Sequence, residues 1–219
     1  SSRTSGFESL ALRFIMSFFI VPTPIGNLND FSARSIEILR SSKIILCEKK
    51  TRALKLLNYY KIRPNQLIAY HDDKSEKIAP LIVSEIRNNE NISLISDAGT
   101  PLISDPGHKI IRILVENSIE PISVPGPSSI ISALTLSTID ISNFIFLGFL
   151  PKNKKKIIQI LQDKIYLGMP LVVFSSSKEL KVLIRLLNLN YKHFFISISK
   201  EISKINESTR RGVVLELEK

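Results

Sequence analysis

The sequence predicts two α/β domains, the first a mainly parallel sheet wrapped by helices. Three observations lead there. Short apolar runs alternate with stretches whose apolar residues recur at helical spacing. The segments joining them are short, as strand–helix–strand crossovers require. Gly/Pro-rich turns follow three of the apolar runs, at the strand ends where open α/β sheets hold ligands.

Residues 1–15 show neither helix caps nor clear alternation, so Met16 is expected to be the native start and the segment before it an added leader. Residues 18–21 form a buried strand, stopped by Pro22 and a turn through Pro24 and Gly26. Asp30 is placed to cap a helix that carries Ile36 and Leu39 on one face. A strand at 44–46, a helix opening at Thr51, a strand at 67–70 and a helix over 78–87 follow. The run 92–95 is the next strand. Asp105 with Pro106 then reads as an N-cap and first helical residue, for a helix with Ile110, Ile113 and Leu114 on its apolar face. A strand at 121–124 leads into a helix opened by residues 125–128.

A shift near residue 140 sets the expected boundary, with domains at 16–139 and 140–219. In the second, strands are expected at 144–147, 171–174, 194–198 and 213–217, with helices at about 155–162 and 178–187 between them.

Composition narrows the partners. Thirty Lys and Arg against 20 Asp and Glu give a net charge of +10, which favours encounters with polyanions. The same excess also fits lysines spread over solvated faces. One cysteine, Cys47, rules out an internal disulfide framework and sits at the end of an apolar run, as a buried structural thiol does. His71, His108 and His193 lack ligand spacing, so no metal site is read. No apolar stretch approaches the ~20 residues that span a bilayer, and a cytoplasmic location is expected.

Residues 96–107 form the most distinctive stretch, combining two glycines, two prolines and two aspartates. Glycine lets backbone approach a ligand closely and proline stiffens the loop around it. The helix starts at Asp105 and Ser128 offer free N–H groups to a polar ligand. The dinucleotide and P-loop glycine patterns are both absent, which argues against a dehydrogenase or a P-loop enzyme.

Blocks at 22–28, 96–107, 125–129 and 148–151, with Arg210, Arg211 and Gly212 near the end, occur in an order that resembles the small-subunit ribosomal RNA 2′-O-ribose methyltransferase I family, within the tetrapyrrole methylases. The likeness implies a homodimeric, two-domain enzyme with S-adenosylmethionine in the cleft between domains. It would methylate a cytidine ribose in small-subunit ribosomal RNA, free or within the subunit. The cofactor would be held by Pro24, Gly26, Asp97, Ala98, Gly99, Thr100, Pro101, Ser104, Asp105, Ser128 and Ser129, with elements of the second domain closing over its adenine. Lys152, Lys154, Lys155, Arg210 and Arg211 are the expected contacts to RNA phosphates, or else solvated cations.

Accepting a proton from a ribose hydroxyl calls for a base. Glu48, His71, Asp97 and Glu201 are the candidates, and Glu48, His71 and Glu201 each also have an ordinary structural reading. Two segments depart from the family pattern, Cys47–Arg52 and Ser175–Lys178, both on the expected substrate side. Two other readings compete. One is methylation of a tetrapyrrole on the same fold, and the other is a catalytically decayed relative that only binds RNA.

Overall fold

The computed structural model describes residues 17–217. The expected leader at 1–15 lies outside the described residues.

Five strands, β1 (Phe18–Val21), β2 (Ser42–Cys47), β3 (Gln66–Ala69), β4 (Asn91–Ile95) and β5 (Ile122–Ser123), form one parallel sheet in the order β3-β2-β4-β1-β5. Its central strands are buried on both faces, which explains their continuous apolar runs. Alternate residues go to opposite layers. Phe18, Ile44, Leu46, Ile92 and Leu94 pack towards α3 (Ser75–Arg87) and α4 (His108–Glu116), against Ile82, Ile110 and Leu114. Phe19, Val21, Ile45, Cys47 and Ile95 pack towards α1 (Ala33–Ser41) and α2 (Lys50–Tyr59), against Leu39 and Leu57. Helix α5 (Ser129–Thr135) follows β5.

Beyond it, β6 (Ile145–Phe149) pairs in parallel with β7 (Leu171–Phe174), joined through α6 (Lys154–Ile165). Helix α7 (Ser177–Tyr191) follows, and Ile157, Leu161 and Leu183 make a small core there. Strands β8 (Phe195–Lys200) and β9 (Ser208–Val213) form an antiparallel pair.

Three expectations are corrected. Asp30 does not cap α1: Ser32 does, its hydroxyl accepting from the Ser35 N–H, while Asp30 belongs to a 3-10 turn and hydrogen-bonds Ser203. Asp105 does not cap α4. Gly107 is the N-cap, at φ +142°, and its N–H donates to Asp72 Oδ1 at 3.0 Å, so the helix opens at His108. The last strand ends at Val213, where the buried Val214 turns the chain into a short helix, α8 (Val214–Leu217).

Candidate active site

The loop after β4 is tied down at both ends by residues distant in sequence. At its start the Thr23 and Gly99 backbones exchange two hydrogen bonds, at 2.8 and 3.0 Å. Thr23 Oγ1 donates to the Ser96 carbonyl (3.3 Å), and the buried Ser96 hydroxyl donates to the Gly99 carbonyl (2.8 Å). Gly99 sits at φ +81°, which a side chain would resist. Thr100 Oγ1 then donates to the Pro127 carbonyl (3.1 Å), joining this loop to the turn before α5. At the far end Asp72 Oδ1 accepts from both the Gly107 N–H and the buried Tyr70 hydroxyl (2.9 Å).

Between these anchors lies a cleft of about 310 Å³, within the usual range for small-molecule sites. One wall is Ala98, Gly99, Thr100, Ile103, Ser104 and Asp105, and a second is Ser128, Ser129 and Ile130. Phe149, Phe174 and Ser175, at the ends of β6 and β7, close the third side. The Phe149 and Phe174 rings lie 5.3 Å apart, and Phe149 keeps 64% of its surface exposed. Strand β6 presses closely on the loop: a Cβ at Gly148 would stand 3.0 Å from Ser104 Oγ. Among the described residues, the hydroxyls of Ser104, Ser128 and Ser129 have no hydrogen-bond partner in the chain.

Charges gather just past the ends of β2 and β4, near Asp105. Asp97 pairs with Arg52 (3.0 Å) and Lys49 (3.2 Å), and Glu48 pairs with Lys49 (3.3 Å). The hydrogen bond to Asp97, then that to Glu48, raises the Lys49 pKa. Burial, then the charges of Glu48 and Asp97, push the Asp105 carboxyl up to about 6 against the opposing pull of Lys49. The Cys47 thiol is pushed up to about 11, chiefly by burial, and is inert as a nucleophile.

This architecture has relatives. The profile of the tetrapyrrole (corrin/porphyrin) methylases matches residues 17–218. The ribosomal RNA small subunit methyltransferase I of Hydrogenobaculum sp. is 35% identical over 93% of this chain and 90% of its own. The protein of the same name from Rickettsia prowazekii is 39% identical over 91% of this chain and 71% of its own. The chain belongs to the ribosomal RNA small subunit methyltransferase I family of tetrapyrrole methylases. The fold agrees. The uroporphyrin-III C-methyltransferase of Thermus thermophilus, solved with S-adenosylhomocysteine, superimposes with a TM-score of 0.60 at 17% identity, covering 91% of this chain and 89% of that one.

The cleft brings together Ala98, Gly99, Thr100, Ser104, Asp105, Ser128 and Ser129 from the sequence-derived set. Four others stand outside its lining. Pro101 is buried, Pro24 follows the Thr23–Gly99 bridge, and Asp97 is held by its two cations. Gly26 lies beneath the turn at 201–204, where a Cβ would come within 2.9 Å of the Ile202 carbonyl. Glu48 sits just past β2 with 22% of its side chain exposed. His71 is exposed and precedes the 3-10 turn Asp72–Lys74. Glu201 is exposed and pairs with Lys204 at 3.2 Å. Lys152, Lys154 and Lys155 are exposed around the start of α6, which Asn153 caps, and Arg210 and Arg211 are exposed on β9, where Arg211 Nε donates to the Leu136 carbonyl.

Sequence reasoning missed Phe149, Phe174 and Asp72. Phe149 was within reach as part of the block at 148–151. Phe174 reads as an ordinary strand residue, and nothing around Asp72 announces that it clamps a loop 35 residues away.

Proposed function

We propose that the chain is an S-adenosylmethionine-dependent methyltransferase that modifies the ribose 2′-oxygen of a cytidine in small-subunit ribosomal RNA. One observation carries the reading: the loops at 98–105 and 128–130 converge on a single cleft in a chain 35% identical, nearly end to end, to a named ribosomal RNA methyltransferase. The net charge of +10 suits a polyanionic substrate better than a small tetrapyrrole.

The residues present fit the cofactor. Three unpartnered hydroxyls, of Ser104, Ser128 and Ser129, suit its ribose and amino-acid groups, and the Phe149 and Phe174 rings suit the face of its adenine. Backbone held at Gly99 by the Thr23 bridge approaches without a side chain in the way. When bound, the cofactor supplies an electrophilic methyl group on a sulfonium. The chain's own part is to hold the two reactants in line, where positioning yields much of the rate gain, and to take up the hydroxyl proton. Lys152, Lys154, Lys155, Arg210 and Arg211 serve RNA phosphates in this reading. The chain divides into domains at 16–139 and 140–219, and works in the cytoplasm as a homodimer.

Isothermal titration with S-adenosylhomocysteine tests the cofactor claim, and the expected result is saturable binding at one site per chain. Mapping ribose methylation in ribosomal RNA with and without the gene tests the substrate. An unchanged pattern rejects it. Binding of RNA without cofactor binding would favour the decayed-relative reading, and methyl transfer to a tetrapyrrole alone would favour the other.

A further inference from the structure

If the reaction is methylation of a ribose hydroxyl, a proton must leave that oxygen as the new bond forms. The four acceptors suggested by sequence are poorly placed or already engaged. His71 is exposed outside the cleft lining, and Glu201 is an exposed partner of Lys204 in a surface turn. Glu48 and Asp97 each lie within 3.3 Å of a cation, and Asp97 is shared by two. Both carboxylates are thus taken up in ion pairs within the chain.

Asp105 differs from all four. It lines the cleft, its side chain is only partly exposed, and among the described residues its carboxylate accepts no hydrogen bond and meets no cation within salt-bridge distance. Its backbone is well held. Ser104 before it is at φ +63°, Pro106 follows it, and the Gly107 N–H is fixed on Asp72. An ionisable group on a stiff loop, facing a cleft without a partner, is placed for a ligand rather than for the fold.

We propose that Asp105 is the catalytic proton acceptor, its carboxylate taking the proton of the ribose 2′-hydroxyl as that oxygen is methylated. The proposal rests on the function read above. The ribose oxygen forms the new C–O bond. The methyl–sulfur bond breaks with its electron pair going to sulfur, which passes from sulfonium to neutral thioether. The hydroxyl proton ends on Asp105 and leaves to solvent through the open cleft. The charged groups facing Asp105 are Glu48 and Asp97, which strengthen it as a base, and Lys49, which opposes them. With its carboxyl near 6, Asp105 is ionised at neutral pH yet more basic than an ordinary carboxylate.

The test compares the full-length wild type with Asp105→Asn and Asp105→Glu. Carbon-13 NMR of the aspartate carboxyls, without cofactor, should show one resonance titrating near pH 6 that is missing from Asp105→Asn. Titration calorimetry should show saturable S-adenosylhomocysteine binding in all three proteins, with affinities less than about tenfold apart. Single-turnover methylation of small-subunit ribosomal RNA should fall by about 10²-fold or more in Asp105→Asn and recover in part in Asp105→Glu. The acid limb of the wild-type rate profile should vanish with the asparagine. A tenfold loss of cofactor affinity in Asp105→Asn would make Asp105 a cofactor ligand and overturn the proposal. An unchanged methylation rate, or an Asp105 carboxyl titrating near 4, would overturn it as well. Wild-type protein that binds no S-adenosylhomocysteine would instead bring down the parent reading and the proposal with it.

Discussion

Thr23 and Gly99, 76 residues apart, hold each other through a reciprocal pair of backbone hydrogen bonds at 2.8 and 3.0 Å. Through this bridge the turn after β1 positions the loop after β4. A side chain at Gly99 would force an L-residue to φ +81° and place a Cβ 3.2 Å from Ile25 Cγ2. Gly99→Ala is therefore expected to lower unfolding free energy by about 1–2 kcal/mol, read by urea denaturation. It should weaken S-adenosylhomocysteine binding at the same time.

Asp72 anchors the other end of the loop. Removing its carboxylate leaves the Gly107 N–H without its acceptor and takes one of the two partners from the buried Tyr70 hydroxyl, whose pKa burial pushes up to about 12. Asp72→Ala should cost about 1–3 kcal/mol and speed hydrogen exchange at the Gly107 amide. Asp72→Asn, which keeps one acceptor oxygen, should recover part of both.

Phe149 keeps most of its surface in solvent, so its loss should barely touch the fold. We expect Phe149→Ala to change stability by less than about 0.5 kcal/mol. Its affinity for S-adenosylhomocysteine should drop about tenfold, since ring stacking on a base is worth about 1–3 kcal/mol. Equal affinity in calorimetry would remove Phe149 from the adenine site.

Asp105 also makes stability depend on pH. Its folded pKa, about 6, lies above the ordinary 3.8, so the folded state holds this proton more tightly than the unfolded one. The stabilising contribution is complete below the ordinary value and disappears as pH rises through about 6. Asp105→Asn should accordingly be more stable than wild type at pH 7.5, by about 1 kcal/mol after allowing for solvent screening. The gap should close as pH falls towards 4, as thermal melts across that range would show.

The lysines around the start of α6 test the RNA side of the proposal. Replacing Lys152, Lys154 and Lys155 by alanine should weaken RNA binding and flatten its dependence on salt, by about 0.7 in the log–log slope for each lost phosphate contact on single-stranded RNA. Cofactor affinity should not change. A salt slope equal to that of wild type would show these lysines to be solvated cations only.

Much of this was legible beforehand. The continuous apolar run at 44–46 and that at 92–95 already described strands buried on both faces, because each residue must be apolar whichever layer it enters. The Gly/Pro-rich composition around Gly99 marked the loop that lines the cleft. The start of α4 was not legible: Asp105–Pro106 satisfies every local rule for a helix start, yet Asp72 takes up the Gly107 N–H from outside the segment. The turn at 201–204 packed against Gly26 was equally hidden, since no local pattern records which distant turn a glycine leaves room for.

The sequence by itself determined the alternation of strands and helices, the two-layered burial of the main sheet and the residue types of the cleft loops. Those follow from local periodicity and backbone preference, which neighbouring residues carry. Tertiary structure alone decided that Phe149 and Phe174 close the cleft, that Asp72 ends the loop, and that Asp105 faces the cleft unpaired while Asp97 is held by Lys49 and Arg52. Which cations reach Asp97 depends on distances of about 3 Å between segments far apart in the chain, and only the folded packing sets those.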